Sequence, residues 1–407
     1  MTGQRFRPLA VVVFVCVVAL SAPLVLARSG SADGPKHAPR GSGIHADALL
    51  VRFAAGTSAA SIKAVLDAGG AVEVGRLDQL NTRVVVAANG RTRDAVGSAL
   101  RTDPKVVAVE ADGPAHVTLT PDDPLWAKQW SARKVRADRA WNVTIGTAGP
   151  IVAVLDTGVQ ASQPDLVGRV LPGFDFVNND DNAADDNGHG TKVAGVVTAQ
   201  GMNATGVAGM CWDCRILPVK VAGSDGNVAW SNAAAGVIWA ADNGARIINM
   251  SFGKSTGTAT MAAAVEYARG LGVFVIAAAG NEGNRARFYP AAYPGVMSVA
   301  ATTESDGLYS WSTRGDWVRL AAPGCTWTTR KGASWDSFCG TSAAAPIVAG
   351  TAGLILAYKP EATAAEIEAA ILDTAVSVTT SIGGGRLDSY SAVHKFEPKP
   401  GNGKPDR

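Results

Sequence analysis

Five apolar runs recur beyond residue 150 and set the fold class: IVAVL (151–155), RILPVKV (215–221), RIINMSF (246–252), VFVIAAA (273–279) and VMSVAAT (296–302). They lack the polar–apolar alternation of a strand with one wet face. Continuous apolar strands suit a parallel sheet covered by helices on both sides. The intervening segments supply helices of matching length: HGTKVAGVVTA, WSNAAAGVIWAADNG, TMAAAVEYARGLG, AAAPIVAGTAGLILAYK and TAAEIEAAILDTA. Strands alternating with helices predict an α/β domain over residues 123–394.

A smaller unit precedes it. ALLVRF, AVEVGRL, TRVVVAA and KVVAVEA read as strands, with SAASIKAVLDAGG and TRDAVGSALRTD as helices between them. The order β-α-β-β-α-β predicts a small α+β, ferredoxin-like domain over residues 47–111. Residues 28–46 read as a linker rich in Gly, Ser, Pro and Ala. Residues 112–122 form a cleavable loop, and 395–407 a polar tail.

The chain begins with Arg5 and Arg7, then LAVVVFVCVVAL, then small residues at Val25 and Ala27. That is the layout of a signal peptide over residues 1–27, and a secreted product is expected. An uncleaved anchor is the alternative, since 9–27 is nearly long enough to span a bilayer. Setting Cys16 aside, four cysteines remain, an even number in an exported chain. Two local disulfides are expected, Cys211–Cys214 and Cys325–Cys339. The rival reading of CWDC as a redox or zinc motif lacks a second CxxC or a nearby His. With a net charge of +2 and 18% charged residues, no basic face is clustered enough to imply nucleic-acid binding. A monomer is expected.

Three motifs put a reactive side chain at the edge of an element. Asp156 in VAVLDTGV ends a buried strand, where ligand-facing residues of open α/β sheets gather. His189 in NGHGTKVAG and Ser342 in GTSAAAP each open a helix. Singly, each has a bland reading as a turn, a loop or an N-cap residue. Together they run in the order Asp, His, Ser, and no GxSxG surrounds Ser342.

These motifs resemble the active-site signatures of the subtilisin-like serine proteases, over residues 123–393. The stretches DDPLWAKQW, VQASQPDLVGRV and GFDFVNND bring the chain closest to thermitase-like members. The resemblance implies a serine endopeptidase in which Ser342 is nucleophile, His189 base, Asp156 its orienting partner and Asn281 (AAAGNEG) an oxyanion donor. It implies a peptide cleft along Ser251, Phe252 and Gly253 and along GSDGN from Gly223. Ala278, Ala279 and Gly280 would line a specificity pocket, and Trp230 would wall a pocket further upstream. Trp239 reads as core. Nothing acidic in these segments calls for basic substrates, apart from Asp225.

The resemblance also implies structural calcium, held by Asp123, Asp165, Asn203, Thr205 and Val207, with a second candidate at Asp175, Asn178 and Asp180. The N-terminal unit resembles the family's inhibitory propeptide, cut between 111 and 121. The expected partners are peptide substrates and this propeptide. Two other functions stand beside a general protease: a narrow processing protease, and a catalytically silent peptide-binding scaffold. The chain departs from the family at Ala343, Lys192 and Ile347. Lys192 is expected to reach solvent or an acidic neighbour such as Asp185.

Overall fold

A computed structural model describes residues 48–112, 119–378 and 382–397. The leader (1–27) and linker (28–46) expected from the sequence, residues 113–118 of the expected cleavable loop and the expected tail beyond 397 lie outside the described residues. So do Cys16, His37, His45 and His116. The chain divides into two compact units, Met1–Pro114 and Ala115–Arg407.

The N-terminal unit follows the expected order: β1 (Ala48–Phe53), α1 (Ala59–Gly69), β2 (Ala71–Leu77), β3 (Thr82–Ala87), α2 (Arg93–Arg101) and β4 (Val106–Asp112). Local chemistry punctuates it. Ser58 and Thr92 cap the two helices through their hydroxyls, and Gly70 ends α1 in the left-handed region at φ 71°. The strands form an antiparallel sheet in the order β2-β3-β1-β4. Its inner face packs Leu49, Val51, Phe53 and Val85 against Ile62, Leu66, Val96 and Leu100.

The second unit opens with two short helices, α3 (Trp130–Lys134) and α4 (Ala137–Ala140), and then enters the alternating pattern. In chain order come β5 (Ile151–Asp156), β6 (Phe174–Asp175), α5 (His189–Thr198), β7 (Arg215–Lys220), α6 (Trp230–Asp242), β8 (Ile247–Met250) and α7 (Ala259–Gly270). Next are β9 (Phe274–Ala278), β10 (Met297–Thr302), β11 (Leu320–Pro323), β12 (Cys325–Arg330), β13 (Ser334–Cys339), α8 (Thr341–Tyr358), α9 (Ala364–Asp373) and α10 (Ser389–His394). Seven strands form one parallel sheet, β11-β10-β9-β8-β5-β7-β6.

The apolar runs are apolar because this sheet is wet on neither face. Residues of β8, β9 and β10 are buried throughout, with one core layer against α5 and α8 and another against α6 and α7. Helix α8 is apolar all round for the same reason: it has a mean hydropathy of 1.4 with 83% of that stretch buried. Both expected disulfides are formed. Cys211–Cys214 lies in the core, and Cys325–Cys339 joins the base of the β12–β13 hairpin just before Ser342.

Candidate active site

Asp156, His189 and Ser342 sit where the topology delivers them: at the carboxyl end of the central strand β5 and at the starts of α5 and α8. The Asp156 side chain is only 3% exposed. Its Oδ1 accepts from His189 Nδ1 at 2.8 Å and from the Thr157 N–H at 2.8 Å. That contact puts the proton of a neutral imidazole on Nδ1. Nε2 is then left as the acceptor, with no partner among the described residues. The other histidine described, His394, lies in α10 and faces Glu397.

A second carboxylate builds the turn that carries His189. Asp185 is buried, and its Oδ1 accepts from Thr157 Oγ1 (2.8 Å), Asn187 N (3.0 Å) and Gly188 N (2.7 Å). Its Oδ2 accepts from Thr191 N (2.9 Å) and Thr191 Oγ1 (2.6 Å), while Thr157 Oγ1 takes the Gly190 N–H at 3.0 Å. This one side chain therefore ties the end of β5 to the first turn of α5. Gly190 is required because a Cβ there would run into the Gly158 carbonyl. Behind the turn, buried Lys220 donates to Asp186 (2.7 Å) and to the carbonyls of Thr157 (2.9 Å) and Ala222 (3.0 Å).

Asp185 is thus filled by five donors from Thr157, its own turn and Thr191, and Lys192 does not reach it. Lys192 instead turns to the β12–β13 hairpin, 3.6 Å from Asp336 Oδ2 and 5.7 Å from the Phe338 ring centre. Phe338 also meets the His189 ring edge-on at 5.3 Å. Burial of the His189 ring works to lower its pKa. The charge and hydrogen bond of Asp156, with the charge of Asp185, outweigh burial and an opposing push from Lys192, leaving the pKa raised.

Ser342 is the second residue of α8. Its Oγ donates to the Ser251 carbonyl at 3.0 Å, and no hydrogen bond joins it to His189. The sequence GTSAAAP is legible in detail here. Pro346 has no N–H to offer the Ser342 carbonyl four residues back, and the Ser251 hydroxyl meets that carbonyl at 3.3 Å. Asn281 Oδ1 accepts from Thr341 N (2.9 Å) and Thr341 Oγ1 (3.0 Å), which fixes the amide. A Cβ built on Gly340 (φ 139°) would lie 3.5 Å from Asn281 Nδ2 and 3.6 Å from Ser342 N. Both donors therefore border the space that a glycine leaves open.

Trp230, Phe252 and Gly253 meet around a cavity of about 200 Å³, with Gly226, Asn227, Val228 and Lys254. Lys254 lies 5.3 Å over the Trp230 ring. Asp225 closes its own turn by accepting from Asn227 N and Nδ2. Ala278 and Ala279 are buried, leading into Gly280, whose N–H reaches Thr341 Oγ1 at 3.1 Å. Trp239 packs on Phe174 and Phe176.

Asp123 and Asp165 are both buried. Asp165 receives N–H groups from Asn203 (3.1 Å), Val207 (3.0 Å) and Trp335 (2.6 Å). Thr205 N donates to Asn203 Oδ1 at 2.9 Å. Asp123 Oδ2 accepts from Met202 N at 2.9 Å, but its buried Oδ1 has no partner. Burial, with the charges of Asp165 and Asp122, pushes the Asp123 carboxyl up to about 6. An orphaned, buried carboxylate oxygen that feels the charge of a second carboxylate fits a divalent cation. Among the described residues, no three His, Cys, Asp or Glu side chains form a metal cluster. The Asp175 loop satisfies itself: Asp175 accepts from Val177 N, Asn178 N and Asn178 Nδ2.

Comparison with known proteins places both units in known families. Residues 147–402 match the Subtilase family, and residues 39–112 match the Fervidolysin N-terminal prodomain. Thermitase of Thermoactinomyces vulgaris is 41% identical over 279 residues, covering 67% of this chain and 99% of thermitase. A thermophilic serine proteinase of Bacillus sp. strain AK1 is 38% identical over 350 residues, covering 85% of this chain and 86% of its own. Among solved structures, a protease from Pseudoalteromonas arctica superposes with a TM-score of 0.64 at 32% identity, covering 68% of this chain and 99% of the other. The chain belongs to the subtilase family, as a thermitase-like serine endopeptidase made with a prodomain.

Proposed function

We propose that this chain is an exported, self-processing endopeptidase in which Asp156, His189 and Ser342 act as one catalytic unit. The observation that carries this reading is the 2.8 Å contact between His189 Nδ1 and the buried Asp156 carboxylate. On substrate binding, Ser342 Oγ exchanges the Ser251 carbonyl for His189 Nε2 and attacks the scissile carbonyl carbon. Its proton passes to Nε2, and Asp156 stabilises the imidazolium. Asn281 Nδ2 and the Ser342 N–H receive the oxyanion. Collapse expels the amine with the proton from His189. Water then attacks the acyl-enzyme by the same steps and releases the acid.

An extended peptide pairs with Ser251, Phe252 and Gly253. Trp230 and Phe252 hold an upstream side chain, and Ala278, Ala279 and Gly280 line the pocket beside the attacked carbonyl. Calcium, a structural ion with no part in the steps above, would be held by Asp123, Asp165, Asn203 and the carbonyls of Thr205 and Val207. The unpartnered Asp123 Oδ1 supports this assignment. Residues 1–27 direct export, 47–111 inhibit the enzyme until cleavage within 112–122, and 123–394 are the catalytic domain.

Labelling the mature protein with a fluorophosphonate tests the reading. A single adduct mapped to Ser342 is expected. Active protease without an adduct on Ser342 would overturn it.

A further inference from the structure

The β12–β13 hairpin and the start of α5 enclose a second cavity that the mechanism above does not use. It has a volume of about 530 Å³ and is lined by His189 and Gly188, by Lys192, and by Arg330, Lys331, Asp336 and Phe338 of the hairpin, with Asn187 beside them. Resting on the catalytic reading, we infer that this cavity receives the substrate residues that follow the scissile bond and favours acidic side chains there.

Chemistry fixes which side of the bond lies here. His189 must protonate the departing amine, so the leaving half of the peptide exits past the imidazole. This cavity includes His189. The cavity beside Trp230 and Phe252 does not include it, and lies against the segment assigned to the acyl half.

The charge is specific to these residues. Lys192, Arg330 and Lys331 are cationic, and among the described residues Asp336 is the one carboxylate lining the cavity, already 3.6 Å from Lys192. Arg330 and Lys331 are exposed and make no ion pair among the described residues. Lys331 lies beside the residue that precedes the histidine: a Cβ placed on Gly188 would lie 3.7 Å from Lys331 Cβ.

The backbone that carries Arg330 and Lys331 is also held in place. Thr328 Oγ1 and Thr329 Oγ1 donate to the carbonyls of Lys192 (2.8 Å) and Thr191 (2.7 Å), locking β12 onto α5. The Gly332 N–H reaches Gln160 Oε1 at 2.7 Å, and the Cys325–Cys339 disulfide closes the hairpin base. A braced backbone need not order itself when an anion arrives, so only the cationic side chains lose freedom.

The test uses enzyme matured from the full chain and quenched peptides identical up to the scissile bond. They carry Glu-Glu, Ser-Ser or Lys-Lys immediately after it. Glu-Glu is expected to exceed Lys-Lys in kcat/KM by about fivefold or more at low salt. The contrast should collapse at about 1 M NaCl, where screening acts within roughly 3 Å. The double variant Arg330→Glu/Lys331→Glu should invert the order, and Lys331→Ser alone should shrink it.

No Glu–Lys contrast in the wild type, or an order unchanged in the double variant, would overturn the inference. A p-nitroanilide with the same acyl half separates the two claims. If wild type cleaves it without any Glu–Lys contrast on the peptides, the cavity assignment alone falls. If wild type cleaves neither substrate class, the catalytic reading falls with it.

Discussion

Lys192 Nζ stands 3.6 Å from Asp336 Oδ2, which places a cation from the helix that carries His189 against the hairpin that leads into Ser342. Its charge works against protonation of His189, while Asp156 and Asp185 favour it. The general base must be neutral, so the acid limb of kcat/KM follows the His189 pKa. Removing a cation that lowers this pKa lets it rise. Lys192→Gln should therefore move the acid limb to higher pH, and Lys192→Glu should move it further. A limb that stays put or moves to lower pH contradicts the assignment. The contrast should shrink as salt is added.

Asn281→Ala removes one of the two donors bordering the space above Gly340. A fall in kcat of about 10²–10³-fold with little change in KM is expected; that magnitude is known from subtilisin itself and does not derive from this geometry. Steady-state kinetics on a peptide anilide checks it. A change confined to KM would show that Asn281 binds substrate in its ground state.

The six elements of the N-terminal unit, and the five central strands and five longer helices of the second, were legible because burial dictates them. The short edge strands β6 and β11 and the short helices α3, α4 and α10 carry too few apolar residues to stand out. VFVIAAA and AAAPIVAGTAGLILAYK can be this apolar only when covered on all sides. The β12–β13 hairpin was not legible, because CTWTTR and SWDSFC mix polar and aromatic residues with no single buried face. Asp156, His189 and Ser342 stood out through the order of their motifs. Asp185 did not. Its role comes from five hydrogen-bond donors converging after the chain folds, and the only local signal was its place in DDNGHG. Pairing Lys192 with Asp185 failed for that reason: the carboxylate was already filled, and Asp336 comes from a strand more than a hundred residues away.

Gly195 faces the hairpin, where an added Cβ would collide with Thr329 Oγ1 and come within 2.6 Å of Thr328 Oγ1. Gly195→Ala should destabilise the catalytic unit by about 1–3 kcal/mol through overpacking. Thermal or denaturant unfolding measures this directly. An unchanged midpoint would mean the hairpin yields freely, and the rigid cavity beside His189 would lose its support.

Chelation tests the cation at Asp123 and Asp165. At a hundredfold excess over Kd, a bound ion contributes about 2.7 kcal/mol, or roughly 5–10 °C in melting temperature for a domain of this size. EGTA should remove that increment from wild-type protein and remove little from Asp123→Asn. Equal melting temperatures with and without calcium would contradict the site.

Self-processing makes a mass prediction. The Ser342→Ala chain, expressed without other proteases, should retain the segment from Arg28 to about Ala111 covalently attached, whereas wild type should lose it. Intact mass and N-terminal sequencing of both products decide it. A variant that matures normally would assign the cut to another enzyme.

The most direct test of the central claim compares His189→Ala, Ser342→Ala and the double variant on one peptide anilide. If the two side chains act as a unit, each single change should lower kcat by about 10⁶-fold, the scale known for subtilisin, and the double variant should be no worse than either. Losses that add in the double variant, or a His189→Ala enzyme that retains most of its rate, would contradict the account.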